Sequence, residues 1–274
     1  MSVLAELQRN WEGLAQADPL WAICTDPDKR HSNWSREEFF ATGQDEIARV
    51  MDCVKAVGLQ IDGSAPALDF GCGVGRVTRA MAAYFPECWG VDISPTMVRL
   101  ATEFNQDTPR CRFAVNERRN LSSFQNDYFG FVYSNIVLQH IPKRLSRQYL
   151  AEMVRVARPG GILVFAVVEA FCVGLLAQWR QQLGVRRRLR RFARRNGNYA
   201  MDLHSCSEAR IRHVLAAAGA RIVDVRWTNS ADPSFNGKLQ YLRGEPRPGY
   251  VSKQDCAVKE LMQPNRKSRG RAGE

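Results

Sequence analysis

The sequence predicts an α/β fold, with helices on both faces of a mostly parallel, doubly wound sheet. Three observations predict it: strands alternate with helices over residues 44–168, a glycine-rich turn directly follows one strand, and the next strand ends in an acid. The chain has 274 residues, of which 45% are hydrophobic, and this is enough to build one such domain with its own core.

Short apolar runs mark the predicted strands. They cover residues 67–70, 89–93, 111–115, 129–134, 162–168, 221–227 and 237–242. Helical spacing of apolar residues predicts helices at 77–84, 143–157 and 207–218. Ser207 is placed to cap the last of these helices, and Gly219 is placed to end it.

Composition divides the chain into segments. Residues 1–43 are rich in aromatics and are predicted to be irregular, packing as a cap on a larger body. Residues 44–243 form the predicted main domain, and residues 169–200 within it form a basic helical insertion. Residues 244–274 are predicted to be a disordered tail.

The strongest local signal is the turn 71–75, Gly-Cys-Gly-Val-Gly, between a strand and a predicted helix. Glycines let the backbone turn sharply and come close to a ligand, and the N-terminus of a helix offers unpaired N–H groups. Asp92 ends the next strand, where an acid typically accepts hydrogen bonds from ribose hydroxyls. The pattern therefore indicates a nucleoside ligand.

Two residues argue against a dinucleotide at this turn. Arg76 stands where the dinucleotide fingerprint has its third glycine. Asp69, at the end of the preceding strand, would lie poorly beside a pyrophosphate but well beside an ammonium or sulfonium group. The residues therefore favour a nucleoside that carries positive charge.

In this context the sequence resembles the class I S-adenosylmethionine-dependent methyltransferases. Residues 68–75 and 90–97 resemble the first and second motifs of that family, 129–142 resemble the fourth, and 158–165 resemble the turn into the fifth strand. The resemblance covers residues 65–168 and extends more loosely to 242. It implies a Rossmann-like sheet of seven strands with an antiparallel last strand at 237–242, and S-adenosylmethionine as the cofactor.

The resemblance also implies a cofactor-binding set. Gly71 and Gly73 would line the methionine part, while Asp92 would bind the ribose hydroxyls and Ile93 would pack on adenine. Other members of the set are Asp69, Arg76, Asn116, Glu117 and Asn135.

These remaining members have separate expected roles. Asn116 and Glu117 fall where the family places a polar residue, usually Asp, against the adenine amino group. Asn135 would face the cofactor and the substrate from the end of strand four. For Arg76 two interpretations stay open: it pairs with a carboxylate of the cofactor or substrate, or it forms an ordinary salt bridge within the protein.

His140 is the candidate general base. It follows strand four, close to where the acceptor should lie, and an imidazole titrates near neutral pH. Methyl transfer from a sulfonium is an in-line displacement, so a base is needed only when the acceptor must lose a proton. The alternative is a histidine that hydrogen-bonds locally and shapes the loop before Pro142.

The formal net charge is +11, and much of the excess lies in residues 186–195 and after residue 243. Three interpretations of the basic segment 186–195 stay open: a solvated helix face, contact with an anionic small-molecule substrate, or contact with nucleic acid. No recognised RNA-binding module is present, and residues 134–137 replace the Asn-Pro-Pro-Tyr-like motif of many enzymes that methylate base nitrogens.

We therefore predict transfer of a methyl group to a small-molecule acceptor, with oxygen or nitrogen favoured over carbon as the acceptor atom. The alternatives are an RNA methyltransferase that uses residues 186–195 and a cofactor-binding protein without catalysis. Aromatic residues of the first segment are suited to cover the open edge of the sheet. Trp21, Trp34 and Phe40 are candidates for an acceptor pocket, with plain hydrophobic packing as the alternative.

The eight cysteines show no C-x-x-C spacing and no metal-binding cluster. No secretory apolar region precedes Glu6 and Arg9, and the most apolar stretch, 161–177, is broken by Glu169. We therefore expect a cytoplasmic protein with free thiols, no bound metal and no membrane span.

Overall fold

The computed structural model describes residues 2–168, 201–225 and 259–261, the last of these only as a strand. Five parallel strands form the main sheet: β1 Ala67–Phe70, β2 Cys88–Asp92, β3 Cys111–Val115, β4 Phe129–Ser134 and β5 Ala157–Phe165. Their order is β3-β2-β1-β4-β5, so the strand order reverses between β1 and β4. Ligands of open parallel sheets bind at the carboxyl ends of the strands at such a switch point.

Two three-residue strands lie beyond β5. They are β6, Ala220–Ile222, and β7, Lys259–Leu261, and β7 pairs antiparallel with both β5 and β6. The strand predicted at 237–242 lies outside the described residues, as does the basic insertion predicted at 169–200.

Helices cover both faces of the sheet. They are α1 Val3–Ala17, α2 Pro19–Ile23, α3 Arg36–Ala56, α4 Arg76–Met81, α5 Pro95–Phe104, α6 Lys143–Val156 and α7 Glu208–Ala217. Short 3-10 helices span Pro27–Lys29 and Leu138–His140. The side chains of β1 and β4 are buried throughout, because each of these strands has neighbours on both edges and hydrophobic clusters on both faces.

The prediction that residues 1–43 are irregular was wrong. Asp18 accepts a hydrogen bond from the Trp21 N–H and caps α2, with Pro19 at its first position. Asp26 likewise caps the 3-10 helix that begins at Pro27. The Asp-Pro dipeptides are helix starts, because the acid caps the free N–H groups and proline suits the first turn. Helix α3 crosses the predicted boundary at residue 43.

Strands β1 to β4 and helix α6 lie close to their predicted positions. The predicted helix at 143–157 is α6, and its apolar face, Leu145, Tyr149, Met153 and Val156, is buried as expected. Strand β5 begins at Ala157, so the predicted turn at 158–161 is instead part of the strand, with a register shift against β4.

Within the described part of the chain, no helix is long and apolar enough to cross a membrane.

Candidate functional site

The glycine turn leaves β1 at the switch point of the sheet. Its three glycines all have positive φ, +83° at Gly71, +53° at Gly73 and +83° at Gly75. The N–H groups of Gly71 and Cys72 donate to the Val91 carbonyl, at 2.8 and 3.1 Å, so the turn is tied to the end of β2. This left-handed backbone is the reason for glycine at these positions.

The surroundings of the turn leave no room for side chains. A Cβ on Gly71 would lie 2.3 Å from a methyl of Val137, and one on Gly73 would lie 2.4 Å from Cδ1 of Ile23. Val137 follows β4 and Ile23 ends α2, so β4 and the N-terminal segment both reach the turn. Glycine is therefore required here because Val137 and Ile23 pack directly against the backbone of the turn.

Asp92, at the end of β2, lies next to the turn. Its Oδ2 accepts from the Gly73 N–H at 3.0 Å and its Oδ1 accepts from the Ser94 N–H at 2.9 Å. Burial raises the pKa of the Asp92 carboxyl, while the backbone hydrogen bonds oppose the rise. The glycine motif and the acid of the next strand, found separately in the sequence, therefore form one site.

Asp69 lies beneath the turn and is almost fully buried. Its Oδ2 accepts from the Thr78 hydroxyl at 2.7 Å. Burial raises the pKa of Asp69 to about 7, the Thr78 hydrogen bond opposes this, and the charge of Glu46 adds to it. Asp69 thus binds its proton more tightly in the folded chain than in the unfolded chain.

The raised pKa of Asp69 predicts that the protein loses stability as the pH rises. As the pH rises from about 4 to 7, the unfolded chain loses this proton before the folded chain does, so the free energy of unfolding falls. The fall is at most about 1.4 kcal/mol per pH unit. We expect Asp69→Asn to remove that fall and to be the more stable protein at pH 8, as measured by urea denaturation.

Asp107→Asn is the control, because Arg79 holds the pKa of the exposed Asp107 at about 2, below the measured range, so this substitution should leave the fall from pH 5 to pH 8 unchanged. Wild-type and Asp69→Asn stabilities that stay parallel from pH 5 to pH 8 would contradict the expectation.

Arg76 pairs with a protein carboxylate. Its Nη2 lies 2.6 Å from Oε2 of Glu46 on α3, and its Nη1 donates to the Thr42 hydroxyl at 3.2 Å. The structure therefore supports the second interpretation of Arg76, an ordinary salt bridge within the protein. The other carboxylate oxygen, Oε1 of Glu46, accepts from the Tyr133 hydroxyl at 2.6 Å and from Nδ2 of Asn135 at 2.9 Å. Asn135 follows β4, so this cluster joins α3, α4 and β4.

Helix α1 contacts the same edge of the sheet. Glu12 accepts from the Ser94 hydroxyl at 2.6 Å, and from the N–H of Thr96 at 3.1 Å and its hydroxyl at 2.5 Å. Gln8 donates to Oε1 of Glu117 at 2.6 Å, and Glu117 is exposed.

The other residues predicted near the adenine lie at the same edge. Ile93 directly follows β2 and is half-buried, and the Asn116 N–H donates to the Asp92 carbonyl at 2.8 Å. Predicted cofactor residues that follow β2 and β3 therefore gather around Asp92, at the edge that α1 contacts.

His140 is buried in the 3-10 helix after β4. Its Nδ1 lies 2.8 Å from the Asp202 carbonyl and its Nε2 lies 3.3 Å from the Gln139 amide nitrogen. The ring of Trp11 on α1 packs edge-on against it, with ring centroids 5.2 Å apart. A carbonyl only accepts, so Nδ1 carries the proton and Nε2 is the basic nitrogen.

The predicted aromatic candidates pack in the N-terminal segment. Trp34 and Phe40 contact a hydrophobic cluster that includes Phe39, Val74 and Met97. The indole N–H of Trp21 donates to the Asp26 carbonyl. Trp11, which sequence reasoning did not select, is the aromatic residue that reaches His140.

Sequence reasoning also missed Glu12 and Glu46. Each is one acid among several in a helix, and only the tertiary packing brings it to the site. Among residues 2–168 and 201–225, no three potential metal ligands lie together, and none of the six cysteines there forms a disulfide.

Known proteins match the part of the chain that contains this site. Residues 68–165 match the family model described as a methyltransferase domain. Over 100 residues the chain is 38% identical to 2-methyl-6-phytyl-1,4-hydroquinone methyltransferase of Synechocystis, covering 36% of this chain and 30% of that protein. It is 32% identical to trans-aconitate 2-methyltransferase of Deinococcus radiodurans, covering 38% of each. The chain thus spans about a third of the length of these relatives.

A solved structure shares the fold. It is magnesium protoporphyrin IX methyltransferase of Synechocystis with bound S-adenosylhomocysteine, with a TM-score of 0.55 at 18% identity over 84% of this chain and 94% of that one. Residues 68–165 therefore match a methyltransferase domain, and the chain has an α/β Rossmann-like fold.

Proposed function

We propose that this protein transfers the methyl group of S-adenosylmethionine to a small-molecule acceptor, at oxygen or nitrogen rather than carbon. The observation that carries the proposal is the contact of Asp92 with Gly73, which joins the two parts of a nucleoside site at the switch point. The match of residues 68–165 to a methyltransferase domain supports it. The likeness to relatives named for a hydroquinone and for trans-aconitate supports a small-molecule acceptor.

The residues have the following roles in this proposal. Gly71 and Gly73 line the methionyl part, Asp92 accepts from the ribose hydroxyls, and Ile93 packs on adenine. Asn116 and Glu117 lie toward the adenine amino group, Asn135 faces the methyl donor, and Asp69 and Arg76 support the turn from below. The buried Oδ1 of Asn135 has no hydrogen-bond partner in the described part of the chain, which fits an acceptor kept for a ligand.

The bound cofactor supplies an activated methyl group on a sulfonium. The chain places the acceptor in line with it and excludes water. Helix α1, held to the start of α5 by Glu12, covers the edge of the sheet for this purpose. An acceptor oxygen or nitrogen that must lose a proton needs a base, and we propose Nε2 of His140. Its Nδ1–H is held by the Asp202 carbonyl, which orients the ring.

His140→Ala tests this role. We expect kcat to fall about 100-fold or more, because general-base catalysis typically contributes roughly 10²–10⁴-fold, while the Kd of S-adenosylhomocysteine changes little. The measurement is steady-state turnover beside calorimetric binding. The control is His213→Ala, since His213 is exposed on α7. Unchanged turnover in His140→Ala would remove the base from the proposal.

An anionic acceptor, suggested by the charge of +11 and by the relative named for trans-aconitate, is the preferred substrate class. The first alternative is RNA, bound through residues 186–195. The second is a cofactor-binding protein without turnover.

Incubation with tritiated S-adenosylmethionine and either a metabolite extract or total RNA tests all three. We expect label in a small molecule and none in RNA. Label in RNA alone would support the RNA alternative, and binding without labelled product would support the non-catalytic alternative.

We further propose that residues 1–43 act as the cap and 44–243 as the domain with its basic insertion at 169–200. The predicted disordered tail, 244–274, is not wholly a tail, because β7 within it pairs with β5 and β6. The complete sheet in this proposal has seven strands, and the last strand is antiparallel. The antiparallel pairing of β7 supports it. We also propose a cytoplasmic location, in keeping with the free thiols of the described cysteines.

A further inference from the structure

We propose that Glu46 is a positioning residue of the methyl-donor site: it fixes the Asn135 side chain so that Oδ1 accepts from the ammonium group of the ligand's methionyl part. Glu46 lies on α3, outside the segment that matches the methyltransferase domain. The inference rests on the proposed function, because it concerns the ligand of that same site.

The chemistry of the contact fixes the orientation of the amide. A carboxylate only accepts hydrogen bonds, so the group of Asn135 that lies 2.9 Å from Oε1 of Glu46 must be the Nδ2 donor. Oδ1 then points the other way. That oxygen is buried and has no partner in the described part of the chain. A buried acceptor without a partner is costly, so an acceptor left in this state indicates a ligand that donates to it.

The position of Asn135 indicates which part of the ligand it meets. The Ser134 hydroxyl donates to the Phe70 carbonyl at 3.0 Å, and Val137 packs against Gly71. The segment after β4 therefore runs along the glycine turn, where the proposed function puts the methionyl part. In that part the ammonium group is the only hydrogen-bond donor, because the carboxylate accepts and the sulfur carries no proton.

The charges at this edge favour a cation. Burial is the largest cause of the raised pKa of Asp69, but the charges of Glu46 and Asp92 also raise it. The charge of Glu12 acts in the same direction on the pKa of Asp92. Arg76 is the cation that opposes them at Asp69, and its guanidinium is already paired with Glu46. Glu12, Glu46 and Asp92 thus outnumber Arg76 around the turn, and an ammonium group is attracted there.

Glu46→Gln should rotate the side-chain amide of Asn135 so that Oδ1 and Nδ2 exchange positions. The oxygen of the new carboxamide would face Arg76, whose charge makes it the strongest donor in the cluster. The nitrogen of that carboxamide would then face Tyr133 and Asn135. Asn135 would present Oδ1 to this nitrogen and lose it as an acceptor for the ligand.

The test compares two ligands by calorimetry on the full chain: S-adenosylhomocysteine, which has the amino-acid group, and 5′-methylthioadenosine, which lacks it. We expect Asn135→Leu and Glu46→Gln each to lower the preference for S-adenosylhomocysteine about tenfold or more, the range for a hydrogen bond to a charged group, without weakening 5′-methylthioadenosine. Tyr133→Phe is the matched control. It removes another donor to Oε1 of Glu46, leaves the Asn135 contact intact, and should keep the wild-type preference.

Each outcome has a distinct meaning. An unchanged preference in Asn135→Leu would overturn the role of Asn135. A loss in Asn135→Leu but not in Glu46→Gln would overturn the positioning role of Glu46. Equal weakening of both ligands in Glu46→Gln would show that Glu46 is merely structural and would overturn its positioning role. Wild-type protein that binds neither ligand would overturn the proposed function as well. Asn135→Ala replaces Asn135→Leu if the latter does not fold.

Discussion

Gly71→Ala should abolish measurable binding of S-adenosylhomocysteine and destabilise the fold by about 2–5 kcal/mol. Gly71 has φ +83°, where an L-residue costs about 1–2 kcal/mol. Its new Cβ would also lie 2.3 Å from Cγ2 of Val137. Rotation of the Val137 side chain about χ1 is restricted, so it cannot easily move away from the new Cβ. Overpacking of this kind costs about 1–3 kcal/mol. The turn must move, and the ligand surface moves with it.

Gly58→Ala separates the cost of the left-handed backbone from the cost of the clash. Gly58 has nearly the same φ, +79°, but no atom lies within 4 Å of the Cβ it would gain. We expect Gly58→Ala to cost only the backbone term and to bind ligand normally. Adding Val137→Ala to Gly71→Ala should recover part of the lost stability, because it removes the two methyl groups that clash, while the backbone cost of the positive φ remains. Equal stability losses in Gly71→Ala and Gly58→Ala, as measured by urea denaturation, would contradict this account of the turn.

Asp92→Ala should weaken the binding of S-adenosylhomocysteine about 100-fold or more. The substitution leaves the Gly73 and Ser94 N–H groups without their acceptor. In the proposed function it also removes the acceptor of the ribose hydroxyls. Each hydrogen bond to a charged group is worth about 1.5–3 kcal/mol. The loss of two such bonds to the ribose hydroxyls therefore raises Kd about 100-fold or more. Calorimetric titration measures the effect.

Asp107→Ala is the control for Asp92→Ala, because Asp107 is exposed and pairs with Arg79 away from the turn. Asp92→Asn should fall between wild type and Asp92→Ala, since the amide keeps one accepting oxygen. If Asp92→Ala bound the ligand as tightly as Asp107→Ala does, Asp92 would have no part in the site.

The sheet was largely predictable because each core strand is a short, mainly apolar run that no helix pattern explains. Strands β1, β3 and β4 begin and end where the sequence predicts them. The helices of the N-terminal segment were not predicted, because Asp18-Pro19 and Asp26-Pro27 are compatible with turns as well as with helix caps. Which of these forms depends on packing against Val74 and Met97, far away in the sequence.

Among the site residues, Asp92 and the glycines were predictable because their chemistry is fixed by the local backbone. The partner of Arg76 was not. Glu46 reaches it only because Gly43, one turn earlier on α3, lets that helix approach α4: a Cβ there would lie 2.5 Å from the Arg76 carbonyl oxygen. A glycine and an acid three residues apart on one helix face are the only sequence signal, and it is weak.

Titration of folded wild-type chain with S-adenosylhomocysteine tests the central claim most directly. We expect saturable binding of one ligand per chain, competed by S-adenosylmethionine and lost in Asp92→Ala while that variant still melts cooperatively. Heat no greater than that of dilution, from wild-type protein whose melting shows it to be folded, would contradict the claim that Gly71, Gly73 and Asp92 form a methyl-donor site.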